Sequence, residues 1–178
     1  MAELLLELYS EEIPPQLQIN ARNQLKIFLE KSFKEMNIDS GNIFTFSSPT
    51  RLTLYIKDLP TQIKTAEKEV RGPKVDSENK IIEGFINAKN VLRENLFKKN
   101  TDKGTFFYIK EEAKNISVEE LIKEIIPKSL ISIGWNKSMK WSNFNLMWGR
   151  PLRSIFSIFN KKKISFKFNH LEADDKVI

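Results

Sequence analysis

Two features of the sequence have the chemistry of a catalytic site but not its geometry. Glu11 and Glu12 are adjacent carboxylates, a combination that can supply a general acid and a general base. Neighbouring residues of a strand point to opposite faces, so the pair favours helix-start capping or a salt bridge. His170 is the single histidine and lies eight residues from the end, where a Ser-His-Asp triad would have to recruit it. The sequence therefore predicts no catalytic residue.

Metal and phosphate sites are equally poorly supported. The chain has no cysteine, which excludes disulfides, thiolate metal ligands and a cysteine nucleophile, and its one histidine cannot form a His-x-x-x-His pair. No glycine-rich phosphate loop is present. We therefore predict no metal site and no cofactor in this chain, and the absence of cysteine fits a reducing cytosol.

The basic residues are concentrated in one part of the sequence. The net charge is +6 and the pI is about 9.4. Residues 125–178 contain ten basic and three acidic side chains, a net charge of +7, so residues 1–124 sum to −1, and no acidic residue lies between Glu124 and Glu172. A local excess of cations favours a polyanionic partner through phosphate neutralisation. A solvated lysine-rich surface remains the alternative interpretation.

The sequence predicts a soluble, cytoplasmic protein. Its first residues lack the basic region and the apolar run of about 7 to 15 residues that a secretory signal contains. No later stretch approaches the roughly 18 apolar residues that span a bilayer. We therefore expect no membrane association.

Hydrophobic periodicity predicts an α+β or mixed α/β fold, a layered sheet with packed helices. Apolar residues recur at helical spacing in three segments: 16–37, 81–96 and 117–133. Short apolar or alternating runs predict strands at 4–9, 43–46, 51–57, 106–111, 144–148, 152–159 and 163–168. Ser117 and Glu120 have the spacing of a capping box, Pro127 should kink or shorten the helix that follows, and Gly134 is positioned to end it. Residues 60–80 are polar and broken by Pro and Gly, so we expect one domain or two small subdomains with a linker there.

Six short segments resemble the N-terminal part of the β subunit of the bacterial two-subunit glycyl-tRNA synthetase. The first is an apolar strand followed by Ser10-Glu11-Glu12-Ile13-Pro14-Pro15. The others, in the same order as in that family, are Ser48-Pro49-Thr50-Arg51-Leu52, Arg71-Gly72-Pro73, Thr101-Asp102-Lys103-Gly104, Met139-Lys140-Trp141 and Arg150-Pro151-Leu152-Arg153. Thr50 departs from the pattern, because the family usually has a second arginine at that position.

The resemblance implies a non-catalytic piece of an ATP-dependent aminoacyl-tRNA ligase, glycine-tRNA ligase, used in protein biosynthesis. Glycine activation, with ATP and Mg²⁺ as cofactors, would belong to the separate α subunit. The implied partners are that α subunit and tRNA(Gly), in a heterotetramer of two α and two β chains. The 178 residues correspond to roughly the first quarter of a β subunit, so its HD-like and anticodon-binding regions are expected to lie outside them. A stand-alone RNA-binding module and a purely structural domain are the alternatives.

The cations within the recognised segments are the RNA-binding candidates, because guanidinium and ammonium groups contact phosphates. These candidates are Arg51, Arg71, Lys103, Lys140, Arg150 and Arg153. The alternative for Arg150 and Arg153 is pairing with strand-end carbonyls or with carboxylates such as Glu11 and Glu12. Trp135, Trp141 and Trp148 could stack on bases, but their apolar surroundings predict that they belong to the core.

Overall fold

The chain forms two units, one inserted into the other. A computed structural model describes residues 1–65, 67–141 and 143–176. The larger unit consists of Met1–Ile63 and Ile116–Ile178, and the smaller unit consists of Lys64–Asn115. One boundary between the units, before Lys64, lies within residues 60–80, and the other follows Asn115.

The elements follow one another in this order: β1 (Ala2–Ser10), α1 (Pro15–Glu35), β2 (Ile43–Ser48), β3 (Arg51–Leu59), β4 (Gln62–Lys64), β5 (Lys68–Lys74), α2 (Asn79–Lys89), a 3₁₀ turn (Arg93–Asn95), β6 (Phe97–Thr101), β7 (Gly104–Glu111), β8 (Asn115–Ser117), α3 (Val118–Ile131), β9 (Leu152–Phe159), β10 (Lys162–Lys163), β11 (Lys167–Phe168) and β12 (Leu171–Asp174). The short strands β4 and β8 pair where the chain leaves the larger unit and returns to it.

The larger unit is built on a split βαβ arrangement. Its sheet has the order β11-β12-β9-β1-β3-β2, and β10 also pairs with β9. Pairing is antiparallel except between β12 and β9. The sequence of elements β1-α1-β2-β3-α3-β9 with strand order β9-β1-β3-β2 is the ferredoxin-like topology. The α+β layered fold expected from the sequence is confirmed.

One face of this sheet forms the core with α1 and α3. Along β1, alternate residues from Ala2 to Leu8 are at most 1% exposed, as the two-residue period of a strand requires. α1 places its stripe from Leu17 to Phe33 on the same cluster, and α3 contributes the stripe from Val118 to Leu130. Because both helices use this face, the opposite face carries the half-exposed residues of β1 and β3.

Several predicted elements are corrected by the structure. Residues 60–80 contain β4, β5 and the first two residues of α2 instead of an irregular connection, and β6 was missed. Residues 144–148 form no strand, and Trp148 makes only an isolated bridge to Met139. Ser117 does occupy the N-cap of α3, but its side chain makes no capping hydrogen bond. Pro127 lies inside α3, and the helix continues beyond it to Ile131, so the proline does not end the helix.

The smaller unit is a three-stranded antiparallel sheet with one helix. The strand order is β5-β7-β6. α2 lies on one face of the sheet, where Phe85 packs so close to Gly72 that a β-carbon there would meet the ring at 2.7 Å. Ile82 and Ile109, 3% and 1% exposed, are buried in this layer. The other face is not covered by α2.

Candidate nucleic-acid interface

The six candidate cations are divided between the two units. Arg51, Lys140, Arg150 and Arg153 belong to the larger unit, whereas Arg71 and Lys103 belong to the smaller one. Within the larger unit, the structure brings the three arginines to one end of the main sheet. There the amide of Ser10 donates to the carbonyl of Thr50, at 2.9 Å, and the amide of Glu11 donates to that of Pro151, at 3.0 Å. The starts of β3 and β9 therefore flank the end of β1.

Arg51 is held by residues of β1. Its guanidinium lies 3.5 Å from a carboxylate oxygen of Glu7 and 5.4 Å from the ring centroid of Tyr9. The pairing register explains the contact, because Arg51 lies opposite Tyr9 and two residues from Thr53, the partner of Glu7. Arg51 is thus part of a neutral cross-strand cluster and is only partly free to meet an anion.

Arg153 makes the carboxylate contact that was the alternative to RNA binding. Its Nε donates to Oε1 of Glu11 at 2.7 Å, and its Nη2 contacts the same oxygen. The side chains of Arg153 and Glu11 are 60% and 47% exposed, so this is a surface pair and not a buried network. Arg150 donates to the carbonyl of Gly149 at 3.1 Å. Arg153 therefore joins the start of β9 to the end of β1, whereas Arg150 contacts only its neighbour in the chain.

Lys140 lies in the long segment between α3 and β9, whose aromatic residues fill the end of the core. Trp148 is 1% exposed and lies 4.9 Å from Trp135, centroid to centroid, and 5.6 Å from Phe168. Trp141 is also packed against the core. The prediction that the tryptophans belong to the core is confirmed, and Lys140 is exposed beside them.

Part of the positive charge in the acid-free stretch is neutralised by a carboxylate that follows the stretch in the sequence. Nζ of Lys163 lies 2.8 Å from Oδ1 of Asp174. This hydrogen bond, with help from the backbone amide of Asp175, lowers the pKa of the Asp174 carboxyl to about 2. Lys163 lies on the hairpin that joins β9 to β10, in which Asn160 and Lys161 have φ of 49° and 62°, as a type I′ turn requires.

The smaller unit combines cations with aromatic rings on the face that α2 leaves uncovered. The guanidinium of Arg71 lies 3.5 Å from the ring centroid of Phe106, and Nζ of Lys74 lies 5.8 Å from the same centroid. Such stacking orients a guanidinium while leaving its donor edge available. Lys103 is exposed in the turn between β6 and β7.

Sequence reasoning missed the other members of this face. Phe97 and Tyr108 lie opposite each other on β6 and β7, with centroids 6.0 Å apart. Lys99 lies 5.6 Å from the Tyr108 ring and 2.6 Å from a carboxylate oxygen of Glu69. The signal was available: the turn at 101–104 with alternating residues on both sides indicates a hairpin that aligns Phe97, Lys99 and Tyr108.

Other chemistry is sparse in the described part of the chain. Within residues 1–65, 67–141 and 143–176, no group of three His, Cys, Asp or Glu side chains could hold a metal ion. The His170 ring stacks on Phe144 with centroids 3.5 Å apart, and burial lowers the pKa of its imidazole. None of the helices in the described residues is long and apolar enough to cross a membrane.

The architecture defines an α+β protein in which a ferredoxin-like unit carries an inserted small sheet with a cation and aromatic face. A sequence profile for the glycyl-tRNA synthetase beta subunit matches residues 4–178. The chain is 36% identical over 175 residues to the glycine–tRNA ligase beta subunit of Rickettsia bellii (strain OSU 85-389), and 35% and 34% identical to those of Rickettsia felis and Rickettsia peacockii. These alignments cover 98% of this chain and 26% of each relative, so the chain spans about a quarter of their length. It belongs to the glycyl-tRNA synthetase beta subunit family.

Proposed function

We propose that this chain is a non-catalytic part of a glycine–tRNA ligase β subunit, which contributes to charging tRNA(Gly) by scaffolding and by contacts with the tRNA. The observation that carries the proposal is the family match over residues 4–178, which includes both units. On this proposal, ATP, Mg²⁺ and the adenylate chemistry belong to the partner α subunit, and the complex acts in the cytoplasm as a heterotetramer of two α and two β chains.

The contacts of the cations support a division of labour between scaffolding and RNA contact. In the larger unit, Arg51 and Arg153 are engaged by Glu7 and Glu11 and join strands of the sheet. In the smaller unit, Arg71 lies on an aromatic ring and faces solvent. A guanidinium already engaged by a carboxylate has less to gain from a phosphate than one on a ring.

A first experiment tests the non-catalytic role. Glycine-dependent exchange between ATP and pyrophosphate is measured for the α subunit of a relative, with and without this chain, and for this chain alone. We expect exchange from the α subunit and none from this chain alone. Exchange by this chain alone would contradict the proposal, and co-elution of the two proteins on size exclusion would support the assigned partner.

A second experiment tests the contact with tRNA. Binding of a labelled tRNA(Gly) transcript to the whole chain is followed by fluorescence anisotropy at several salt concentrations. We expect saturable binding whose affinity falls as salt rises, because cations that contact phosphates release counterions. Equal binding with and without the α subunit would favour a stand-alone RNA module. If the chain binds no tRNA with or without the α subunit, the remaining interpretation is a purely structural domain.

A further inference from the structure

The uncovered face of the smaller unit consists of two cross-strand rows. In the first row, Arg71 of β5 pairs with Tyr108 of β7, which pairs with Phe97 of β6. In the second row, Lys74 pairs with Phe106, which pairs with Lys99. The first row reads cation, aromatic, aromatic, and the second reads cation, aromatic, cation. We call these six residues the cation–aromatic face.

This face is accessible, and its rings are held in fixed positions. Arg71, Lys74 and Lys99 are exposed, whereas Phe97 and Tyr108 are half-buried. Phe106 is only 6% exposed and forms the floor of the second row, beneath the two cations that stack on it. Phe97 and Tyr108 therefore present aromatic surface while the charged groups surround it.

The charge on the face favours an anionic occupant. The one carboxylate in contact with it is Glu69, which Lys99 engages at 2.6 Å, so Arg71 and Lys74 remain as an excess of positive charge among the described residues. The exposed face of the larger unit's sheet differs in this respect. There Tyr55 donates to Glu3 at 2.8 Å and Arg51 is paired with Glu7, so its arginine is already engaged by a carboxylate.

Aromatic rings between cations match the chemistry of a single-stranded nucleic acid. Unstacked bases gain stacking energy on aromatic side chains, and the phosphates between them are neutralised by Arg and Lys. The bases of a duplex are already stacked on each other, so a duplex could use only the cations. The two rows supply both kinds of contact.

We propose that the cation–aromatic face binds unstacked nucleotides of tRNA, with Phe97 and Tyr108 stacking on bases and Arg71 and Lys74 contacting phosphates. This inference rests on the function proposed above, because that function names tRNA as the source of the single strand. It places the RNA contact in the inserted unit and leaves the paired arginines of the larger unit to hold strands together.

The test compares the whole chain with variants that separate stacking from folding. Tyr108→Leu removes the ring but retains a large apolar side chain, and Tyr108→Phe keeps the ring. The probes are a labelled 12-nucleotide single-stranded RNA of mixed sequence and a blunt duplex of the same length. Far-UV circular dichroism and thermal melting confirm that each variant is folded.

We expect the single strand to bind more tightly than the duplex. Tyr108→Leu should weaken binding of the single strand by about 5- to 150-fold, the loss expected from one stacked base, and Tyr108→Phe should bind like the wild type. The effect of Tyr108→Leu on the duplex should be small. Equal affinity for both probes, or wild-type affinity of a folded Tyr108→Leu variant, would overturn the inference.

The charge arm uses a matched pair of lysines. Lys74→Ala should flatten the salt dependence of single-strand binding by roughly 0.7 in log–log slope, the value for one lost phosphate contact. Lys98, on β6, is exposed and pairs with Phe107 on the opposite face, so Lys98→Ala should leave the slope unchanged. If Lys74→Ala and Lys98→Ala flatten the salt dependence by the same amount, the phosphate contact is not specific to this face and the inference is wrong.

The result with whole tRNA distinguishes the two proposals. If the wild-type chain binds the tRNA transcript but not the single strand, the face is not the site and the proposed function stands. If it binds neither probe, both the face and the proposed tRNA contact fail. Subunit function would then have to rest on scaffolding alone.

Discussion

Gly149→Ala is expected to destabilise the larger unit by about 1 to 3 kcal/mol, the usual cost of overpacking a core. A β-carbon at this position would lie 2.4 Å from Cε3 and Cζ3 of Trp135, whereas an ordinary contact begins near 3.4 Å. The indole must therefore retreat by about 1 Å. Trp148, at a centroid distance of 4.9 Å and itself packed on Phe168, limits that movement.

Urea unfolding measures this loss. All three tryptophans lie outside the smaller unit, so their fluorescence reports the larger unit selectively. With an m-value of about 2 kcal/mol/M, a loss of about 2 kcal/mol moves the midpoint down by about 1 M. The paired control is Gly84→Ala in α2, where a β-carbon would meet no atom within 4 Å. That change lies in the smaller unit and should leave the tryptophan-reported midpoint unchanged, while stabilising α2 by about 0.5 to 1 kcal/mol because alanine is the better helix former.

A double mutant separates the clash from any other effect of Gly149→Ala. In a Trp135→Leu background the ring that obstructs the β-carbon is gone, so the same substitution should cost less than about 1 kcal/mol. An unchanged midpoint for the single variant would refute the steric argument. An equal cost in both backgrounds would refute it too.

Three further outcomes follow from contacts described above. Arg153→Ala should lower the free energy of unfolding by less than about 1 kcal/mol, since its ion pair is exposed; a larger loss in urea unfolding would show that the pair does more than join strand ends. Lys163→Ala should raise the pKa of Asp174 from about 2 towards 3.8, measured by NMR of the carboxyl carbon. Because the folded pKa is depressed, the stabilisation from this pair is present above about pH 4 and is lost as the pH falls towards 2; an unshifted pKa in the variant would exclude the lysine as its cause. Replacing the segment between Thr65 and Lys114, whose N–H···O bond of 3.0 Å joins the ends of the insertion, with a short Gly/Ser linker should preserve tryptophan fluorescence and its unfolding midpoint, and a quenched or red-shifted spectrum would contradict this.

The elements with strong periodicity could be predicted from the sequence. The alternation in β3 and the apolar stripe of α1 are patterns among residues close in the chain. Each element has one buried side and one solvent-facing side, so the period of its apolar residues reveals its type. The strand predicted at 144–148, around Trp148, was wrong. Apolar residues in a row indicate that a segment is buried, but they do not indicate that its backbone pairs with another strand. There the side chains fill the end of the core while the backbone forms only one bridge.

The partners of the candidate cations could be predicted only in part. Glu11 was recognised as a possible partner of Arg153, but the two residues are 142 positions apart in the chain. Strand order brings them together, and local sequence patterns do not encode strand order. Phe97 was missed because β6 alternates weakly, with three exposed residues between two half-buried ones. Its alignment with Tyr108 depends on hairpin register.

The central position of β1 has a consequence during synthesis on the ribosome. Among the strands of this sheet β1 is made before the others, yet one of its two hydrogen-bonded neighbours, β9, begins at Leu152. At about 5 to 20 residues per second, one edge of this apolar strand waits roughly 7 to 28 seconds for its partner. The strands of the inserted sheet are contiguous in the chain and are completed within that interval. During that interval the nascent chain exposes an unpaired apolar edge along β1, where a chaperone that shields it would suppress aggregation.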